Sequence, residues 1–164
     1  MAEPTFSHLD RAGRLNMVDI TGKDVTLRRA VARCLVRTVA DPAVLATNTN
    51  GVDPLQVARV AGIQAAKHTS FLIPLCHPIP IDDIHVEISP ASGVVEVVAE
   101  VTASYRTGVE MEALTACAFA ALSIAGALKR ADPLVQIDDL VLLRKSGGRS
   151  GEWGRLTTEG TNAP

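Results

Sequence analysis

Apolar and polar residues alternate over several stretches of the chain, and this period of two predicts β-strands. The first stretch covers residues 25–39, although a helix is not excluded there. Residues 84–88 and 95–101 alternate in the same way, and the turn-forming residues 90–93 between them predict a β-hairpin. A last apolar stretch, residues 135–143, predicts a fourth strand.

Two longer stretches predict helices. Asp53 can accept hydrogen bonds from the first N–H groups of a helix, and Pro54 suits its first turn. This helix is predicted to run to about residue 71, before Pro74, and an Ala-rich one from about 109 to 130. The order β-α-β-β-α-β predicts an α+β, ferredoxin-like fold, an antiparallel sheet with helices on one face. The other face needs a cover, most simply a second subunit.

The chain is predicted to form one domain, residues 1–151, with an N-terminal arm over about 1–24 and a flexible tail over 152–164. The net charge of −2 gives no overall field for nucleic acid or an acidic membrane. The apolar segment 113–127 is expected to be too short to span a bilayer. Three scattered cysteines without zinc-ligand spacing predict reduced thiols in a cytoplasmic protein and no metal site.

Cys76 and His77 lie between prolines at the end of an apolar run, in the sequence LIPLCHPIP of residues 72–80. Neighbouring side chains of an extended segment point to opposite sides, so the two cannot easily form a nucleophile–base pair. A lone cysteine is more often a small core residue. His77 is the better candidate for a substrate contact, with a purely structural histidine as the alternative.

Glu110 and Glu112 lie at the start of the second helix, after Gly108. Side chains two apart on a helix face nearly opposite ways, so they are not a shared acid–base pair. One of them can face a pocket while the other meets a cation or the helix N-terminus. The alternative is that both are simply favourable charges at a helix start.

Residues 145–151, with the sequence KSGGRSG, combine two cations with backbone amides that suit a phosphate group. This is not a Walker motif, and a solvated tail is the alternative. Arg28, Arg29 and Lys67 add further positive charge for an anionic ligand.

Five motifs together resemble the MoaC family, the cyclic pyranopterin monophosphate synthases of molybdenum cofactor biosynthesis. They are residues 17–20 (MVDI), 58–67 (ARVAGIQAAK), 72–78 (LIPLCHP), 107–115 (TGVEMEALT) and 143–151 (LRKSGGRSG). The resemblance implies a ferredoxin-like subunit, a homodimer with the site at its interface, and three dimers in a hexamer. It implies conversion of 3′,8-cyclo-7,8-dihydro-GTP to cyclic pyranopterin monophosphate and pyrophosphate, with no cofactor.

The resemblance also implies the residues of the site. His77 and Lys129 take the catalytic positions. The substrate-binding positions are Leu75, Cys76, His77, Glu110, Met111, Glu112, Lys67 and Lys145.

Two positions depart from the family pattern. The family's general acid–base, an aspartate on the second helix, corresponds to Gly126, and its lysine before the first helix corresponds to Gly51. A placed proton-transfer group contributes roughly 10²–10⁴-fold to a rate, so these losses bear directly on activity. Compensation would need another acid, such as Asp19, or a partner copy that supplies the chemistry. Three functions therefore stay open: the family's lyase reaction, a repurposed enzyme for another cyclisation or rearrangement, and a non-catalytic ligand-binding relative.

Overall fold

The protein folds around one five-stranded antiparallel sheet. A computed structural model describes residues 8–10, 12–45 and 51–155. Within them the strand order is β2-β3-β1-β4-β5. In chain order the elements are β1 (Thr26–Arg37), a 3-10 turn (Pro42–Leu45), α1 (Pro54–Lys67), α2 (Thr69–Leu72), β2 (Asp83–Ala91), β3 (Val94–Tyr105), α3 (Glu110–Leu128), β4 (Gln136–Ser146) and β5 (Trp153–Gly154). The α+β, ferredoxin-like arrangement is confirmed.

The core lies between the sheet and the helices α1 and α3. One face of β1 contributes small residues, as does α3, and alternate residues of β3 from Val95 to Ala103 are completely buried against them. Helix α1 meets α3 at Gly62, where a Cβ atom would lie 2.9 Å from the carbonyl oxygen of Ala116. Only glycine permits this close approach without a shift of the helices.

Helix α1 begins as predicted and ends earlier than predicted. The Asp53 carboxylate accepts hydrogen bonds from the N–H groups of Leu55 and Gln56. The helix stops at Lys67 instead of residue 71, so the prediction of one continuous helix is wrong. The Thr69 hydroxyl donates to the last carbonyls, 2.9 Å from that of Ala66, and a separate helical turn, α2, follows after His68.

The hairpin and the last strand are both longer than predicted. Pro90 and Ala91 belong to β2, so the turn narrows to two residues and Gly93 adopts a φ of 75°. Strand β4 continues three residues beyond the predicted end, with two register shifts against β1. The extension brings Lys145 and Ser146 into the sheet beside the start of β1, which is where the candidate site forms.

Residues near both ends of the domain make defined contacts. In the predicted arm, Leu9 and Leu15 form a β-bridge, and the Arg106 side chain donates to the Lys23 carbonyl at 3.1 Å. In the predicted tail, Trp153–Gly154 pairs with β4 as the edge strand β5. Residues 1–7 and 156–164 of these two segments lie outside the described residues.

Helix α3 has 19 residues and is long and apolar enough, by composition, to cross a bilayer. The helix extends beyond the predicted apolar segment 113–127 at both ends. Nine of its residues, Ala116 and Ile124 among them, are buried. Packing of this face against the sheet accounts for the apolar composition, because the central helix of a folded core has the same pattern.

Candidate functional site

A cationic cavity of about 470 Å³ lies between the N-terminus of α3, the start of β1 and the end of β4. Six cationic residues line it together with the acidic residues Asp24 and Glu110, and the side chain of one of the six, Arg29, is paired with Glu100. The cations are Lys23, Arg28, Arg29, Arg106, Lys145 and Arg149. This balance favours an anion with several charges, and backbone N–H groups at a helix N-terminus act in the same direction.

Three glycines give the cavity its shape. A Cβ atom at Gly108 would overlap the Glu110 carboxylate, and one at Gly148 would overlap the Arg28 guanidinium. At Gly147 it would overlap the Leu27 carbonyl oxygen. Gly147 and Gly148 also have φ values of 96° and 72°, which non-glycine residues rarely adopt. The glycines of the two sequence motifs thus leave room for the charged side chains that define the site.

An ion pair crosses the cavity from α3 to β4. The Lys145 Nζ atom lies 2.9 Å from the Glu110 Oε1 atom, and both side chains are about one-third exposed, at 30% and 29%. Arg28 is oriented by a longer contact from its Nε atom to the Tyr105 carbonyl, at 3.4 Å. The predicted phosphate loop, the predicted Glu110 and the basic start of β1 are therefore parts of one site.

Glu112 faces away from this cavity and is 3% exposed. Burial raises the pKa of its carboxyl group to about 7, and the negative charge of Glu110 acts in the same direction. Burial, and then the charge of Glu112, also raise the pKa of the Cys76 thiol. The two glutamates thus face different surroundings, as predicted. Cys76 is held as a thiol, which is a poor nucleophile.

Replacing Glu112 with glutamine should make stability less dependent on pH. The folded-state pKa of about 7 lies above the ordinary value of 4.5, so the folded state binds the proton more tightly. Stability of the wild type therefore falls as pH rises between these values, and the loss is complete above about pH 7. At pH 8, Glu112→Gln should be more stable by at most about 3 kcal/mol, and at pH 5 by much less.

Thermal unfolding at pH 5 and pH 8 measures this difference. Glu87→Gln, at an exposed glutamate of β2, controls for the general loss of a carboxylate. A stability gain for Glu112→Gln that is the same at both pH values would contradict the assignment of Glu112 as a buried carboxyl group that resists ionisation.

The segment before His77 is conformationally strained. Leu75 has a φ of 65°, in the left-handed region that a branched side chain avoids. The Cys76 N–H donates to the Ile73 carbonyl at 3.4 Å, and Cys76 and His77 are half-buried. Strain of this kind is common where a side chain is held for binding, which fits the predicted contacts at residues 75–77. Met111, 38% exposed at the start of α3, is available at the surface.

The remaining predicted residues lie elsewhere in the protomer. Gly126 is 16 residues after Glu110 on α3, which places it about 24 Å along the helix axis. Lys129 caps the same far end and is exposed. Helix α1 is followed by α2 and then by Cys76, which lies beside Glu112 at the start of α3. Helix α1 therefore runs antiparallel to α3. Gly51 precedes α1 and so lies towards the C-terminal end of α3, far from the cavity.

Two other predicted groups lie outside the cationic cavity. Lys67 lines a separate depression with Asp82 and Asp83. The Asp19 carboxylate accepts hydrogen bonds from the Thr21 N–H and hydroxyl, at 2.9 and 2.8 Å. The hydrogen bond from the Thr21 N–H lowers the pKa of Asp19, so its carboxyl group stays ionised at neutral pH and holds no proton to donate. Asp19 is not part of the lining of the cationic cavity.

Sequence reasoning missed Lys23, Asp24 and Arg106 as parts of the site. Lys23 and Arg106 are more than 80 residues apart, and only the pairing of β1 with β3 brings them together. Arg106 directly precedes the TGVEMEALT motif, and this position was the sequence feature that could have indicated its place in the site. Among the residues that the structure describes, no group of three or more His, Cys, Asp and Glu side chains is placed to hold a metal ion.

Comparison with known proteins identifies the family. The sequence model of the MoaC family matches residues 17–148. Cyclic pyranopterin monophosphate synthase from Chloroflexus aggregans is 49% identical over 156 residues, covering 92% of this chain and 93% of the relative. The protein of the same name from Streptomyces avermitilis is 44% identical, covering 94% and 92%. Cyclic pyranopterin monophosphate synthase 2 from Mycobacterium tuberculosis is 47% identical, covering 92% and 91%. The chain belongs to the MoaC family.

Proposed function

We propose that this protein is a lyase that converts 3′,8-cyclo-7,8-dihydro-GTP to cyclic pyranopterin monophosphate and pyrophosphate, in molybdenum cofactor biosynthesis. The observation that best supports this function is the cationic cavity at the start of α3, which six cationic and two acidic residues line. A nucleoside triphosphate has the charge and the phosphate oxygens that such a cavity binds. The names of the relatives, all cyclic pyranopterin monophosphate synthases, support the same reaction.

The residues of the cavity suit the loss of pyrophosphate. Negative charge grows on the departing phosphates, and cations placed beforehand stabilise that charge better than water does. Lys145 is the best-placed cation, because its Nζ atom is already held inside the cavity by Glu110. Arg28 and the amides of Gly147 and Gly148 extend the same surface. No step in this scheme uses a redox cofactor.

The complete site is proposed to form between two protomers. The residues near Glu110 and those near Gly126 are separated by about 24 Å along α3, so a single protomer cannot place both groups around one small substrate. A homodimer, three of which form a hexamer in the cytoplasm, is the proposed assembly.

A second candidate function is favoured by Gly126. A Cβ atom at this position would have no neighbour within 4 Å, so the missing acid leaves open space. Such space can accommodate a ligand that differs from the family's substrate. A repurposed enzyme for another rearrangement, or a ligand-binding protein without catalysis, is the corresponding alternative.

Incubation of the purified protein with 3′,8-cyclo-7,8-dihydro-GTP tests these functions. We expect pyrophosphate and cyclic pyranopterin monophosphate to appear in equal amounts, measured by a coupled pyrophosphate assay and by chromatography. GTP, which lacks the 3′,8 bond, is the control and should release no pyrophosphate. Pyrophosphate with a different organic product would indicate a repurposed enzyme. Binding without turnover at high protein concentration would indicate the non-catalytic alternative.

A further inference from the structure

A second depression adjoins the cationic cavity and contains the only tryptophan of the chain. It has a volume of about 360 Å³ and shares Arg29, Lys145 and Ser146 with the cavity. Trp153 lines it and is 42% exposed, although an exposed indole of this size is costly in water. The two depressions therefore share part of their lining.

The register of β5 fixes where the indole lies. Trp153 pairs with Lys145 across the antiparallel ladder, so both side chains project from the same face of the sheet. Lys145 in turn contacts Glu110 inside the cavity. The edge strand is held by the Arg155 N–H, which donates to the Leu143 carbonyl at 2.7 Å, and by the Arg155 Nε atom, 3.1 Å from the Leu142 carbonyl. The indole is therefore held beside Lys145, a cation of the cavity lining.

We propose that Trp153 stacks on the heterocyclic base of the nucleotide whose phosphates occupy the cationic cavity. This assignment rests on the proposed nucleotide-like substrate and adds the site of its base. The indole supplies a flat apolar surface, and base–aromatic stacking is a strong contact that every base can make. Glu152 is also among the residues that line this depression, and a carboxylate can accept hydrogen bonds from the ring N–H groups of a guanine-type base.

The single tryptophan makes the test direct, because all indole fluorescence comes from Trp153. Titration of the full-length protein with GTP should quench this fluorescence with the same midpoint that calorimetry gives for binding. Inorganic triphosphate, which lacks a base, should bind by calorimetry and leave the fluorescence nearly unchanged. N-acetyltryptophanamide in the same titration corrects for light absorbed by GTP.

Variants then separate stacking from a structural role. Trp153→Ala should raise the calorimetric Kd for GTP about tenfold and leave that for inorganic triphosphate within about twofold. Trp153→Phe keeps an aromatic face and should lie close to the wild type. Size-exclusion chromatography and thermal unfolding establish that each variant keeps its assembly and fold.

Several results would overturn the assignment. They are calorimetric binding of GTP without quenching, no binding of GTP at all, and equal losses for GTP and inorganic triphosphate in Trp153→Ala. A change of assembly in that variant would instead make Trp153 a subunit contact and would also overturn it. Failure of the proposed lyase reaction is seen separately, as nucleotide binding with quenching but no pyrophosphate from the cyclised substrate.

Discussion

Replacing Gly126 with aspartate should raise the rate of pyrophosphate release by about 10²–10⁴-fold, the usual contribution of a placed acid–base group. The family resemblance assigns the general acid–base to this position on α3. The wild-type chain has no carboxylate between Glu112 and Asp132. A gain of rate from a single substitution would show that the pocket still binds the family's substrate and that the missing proton-transfer group limits the rate.

The structure favours Gly126→Asp as a clean test. Gly126 is exposed, and a Cβ atom there meets no heavy atom within 4 Å, so the side chain fits without rearrangement. Gly126→Asn is the matched control, because asparagine resembles aspartate in shape and helix propensity but cannot transfer the proton in the same way. Only the aspartate variant should gain activity, measured as kcat for pyrophosphate release. An unchanged rate with intact substrate binding would support the repurposed pocket.

Restoring the lysine before α1 is a harder change. Gly51 has a φ of 80°, a conformation in which lysine is strained, so Gly51→Lys alone alters the local backbone as well as the charge. The double variant with Gly126→Asp should therefore exceed the single aspartate variant only if the loop adapts. The Gly126→Asp variant should therefore be made first, and Gly51→Lys should be added to it afterwards.

The sequence was sufficient for the fold wherever local chemistry determined it. Alternation placed β1, β2 and β3, and the Asp53 carboxylate began α1 as predicted. The end of α1 was not predictable in the same way, because the Thr69 hydroxyl competes for carbonyls that a continuing helix would use. The extension of β4 to Ser146 depends on pairing with β1, a contact between distant segments.

The candidate site was only partly predictable for the same reason. The motifs with Glu110 and Lys145 each indicated a charged pocket, and the structure shows them joined by an ion pair. Their contact with Lys23 and Arg106 required the full sheet, since no local pattern relates these segments. The separation of Gly126 from the cavity also emerged only from the length of α3. The resemblance assigned all these residues to one site, and the geometry of one protomer leads to the proposed dimer.

Lys145→Met should reduce kcat/KM for pyrophosphate release by about 10²-fold, the effect typical of removing one preplaced charge partner from a reacting group. It should also weaken binding of inorganic triphosphate. The change in stability should be small, since a partly exposed ion pair contributes about 0–1 kcal/mol. Arg130→Met, at an exposed cation just after α3 and outside the cavity lining, controls for the loss of one positive charge.

The partner residue shows whether Lys145 acts on the ligand or only maintains the fold. Glu110→Gln breaks the same ion pair but leaves the Lys145 ammonium in the cavity, where it remains available to phosphate. If Lys145 binds the departing phosphates, Glu110→Gln should lose much less activity than Lys145→Met, and Lys145→Arg should recover part of it. Equal losses in Lys145→Met and Glu110→Gln, with matching falls in Tm, would instead show that the pair mainly fixes α3 to β4. Because the two side chains share one contact, the double variant should then be no worse than either single variant.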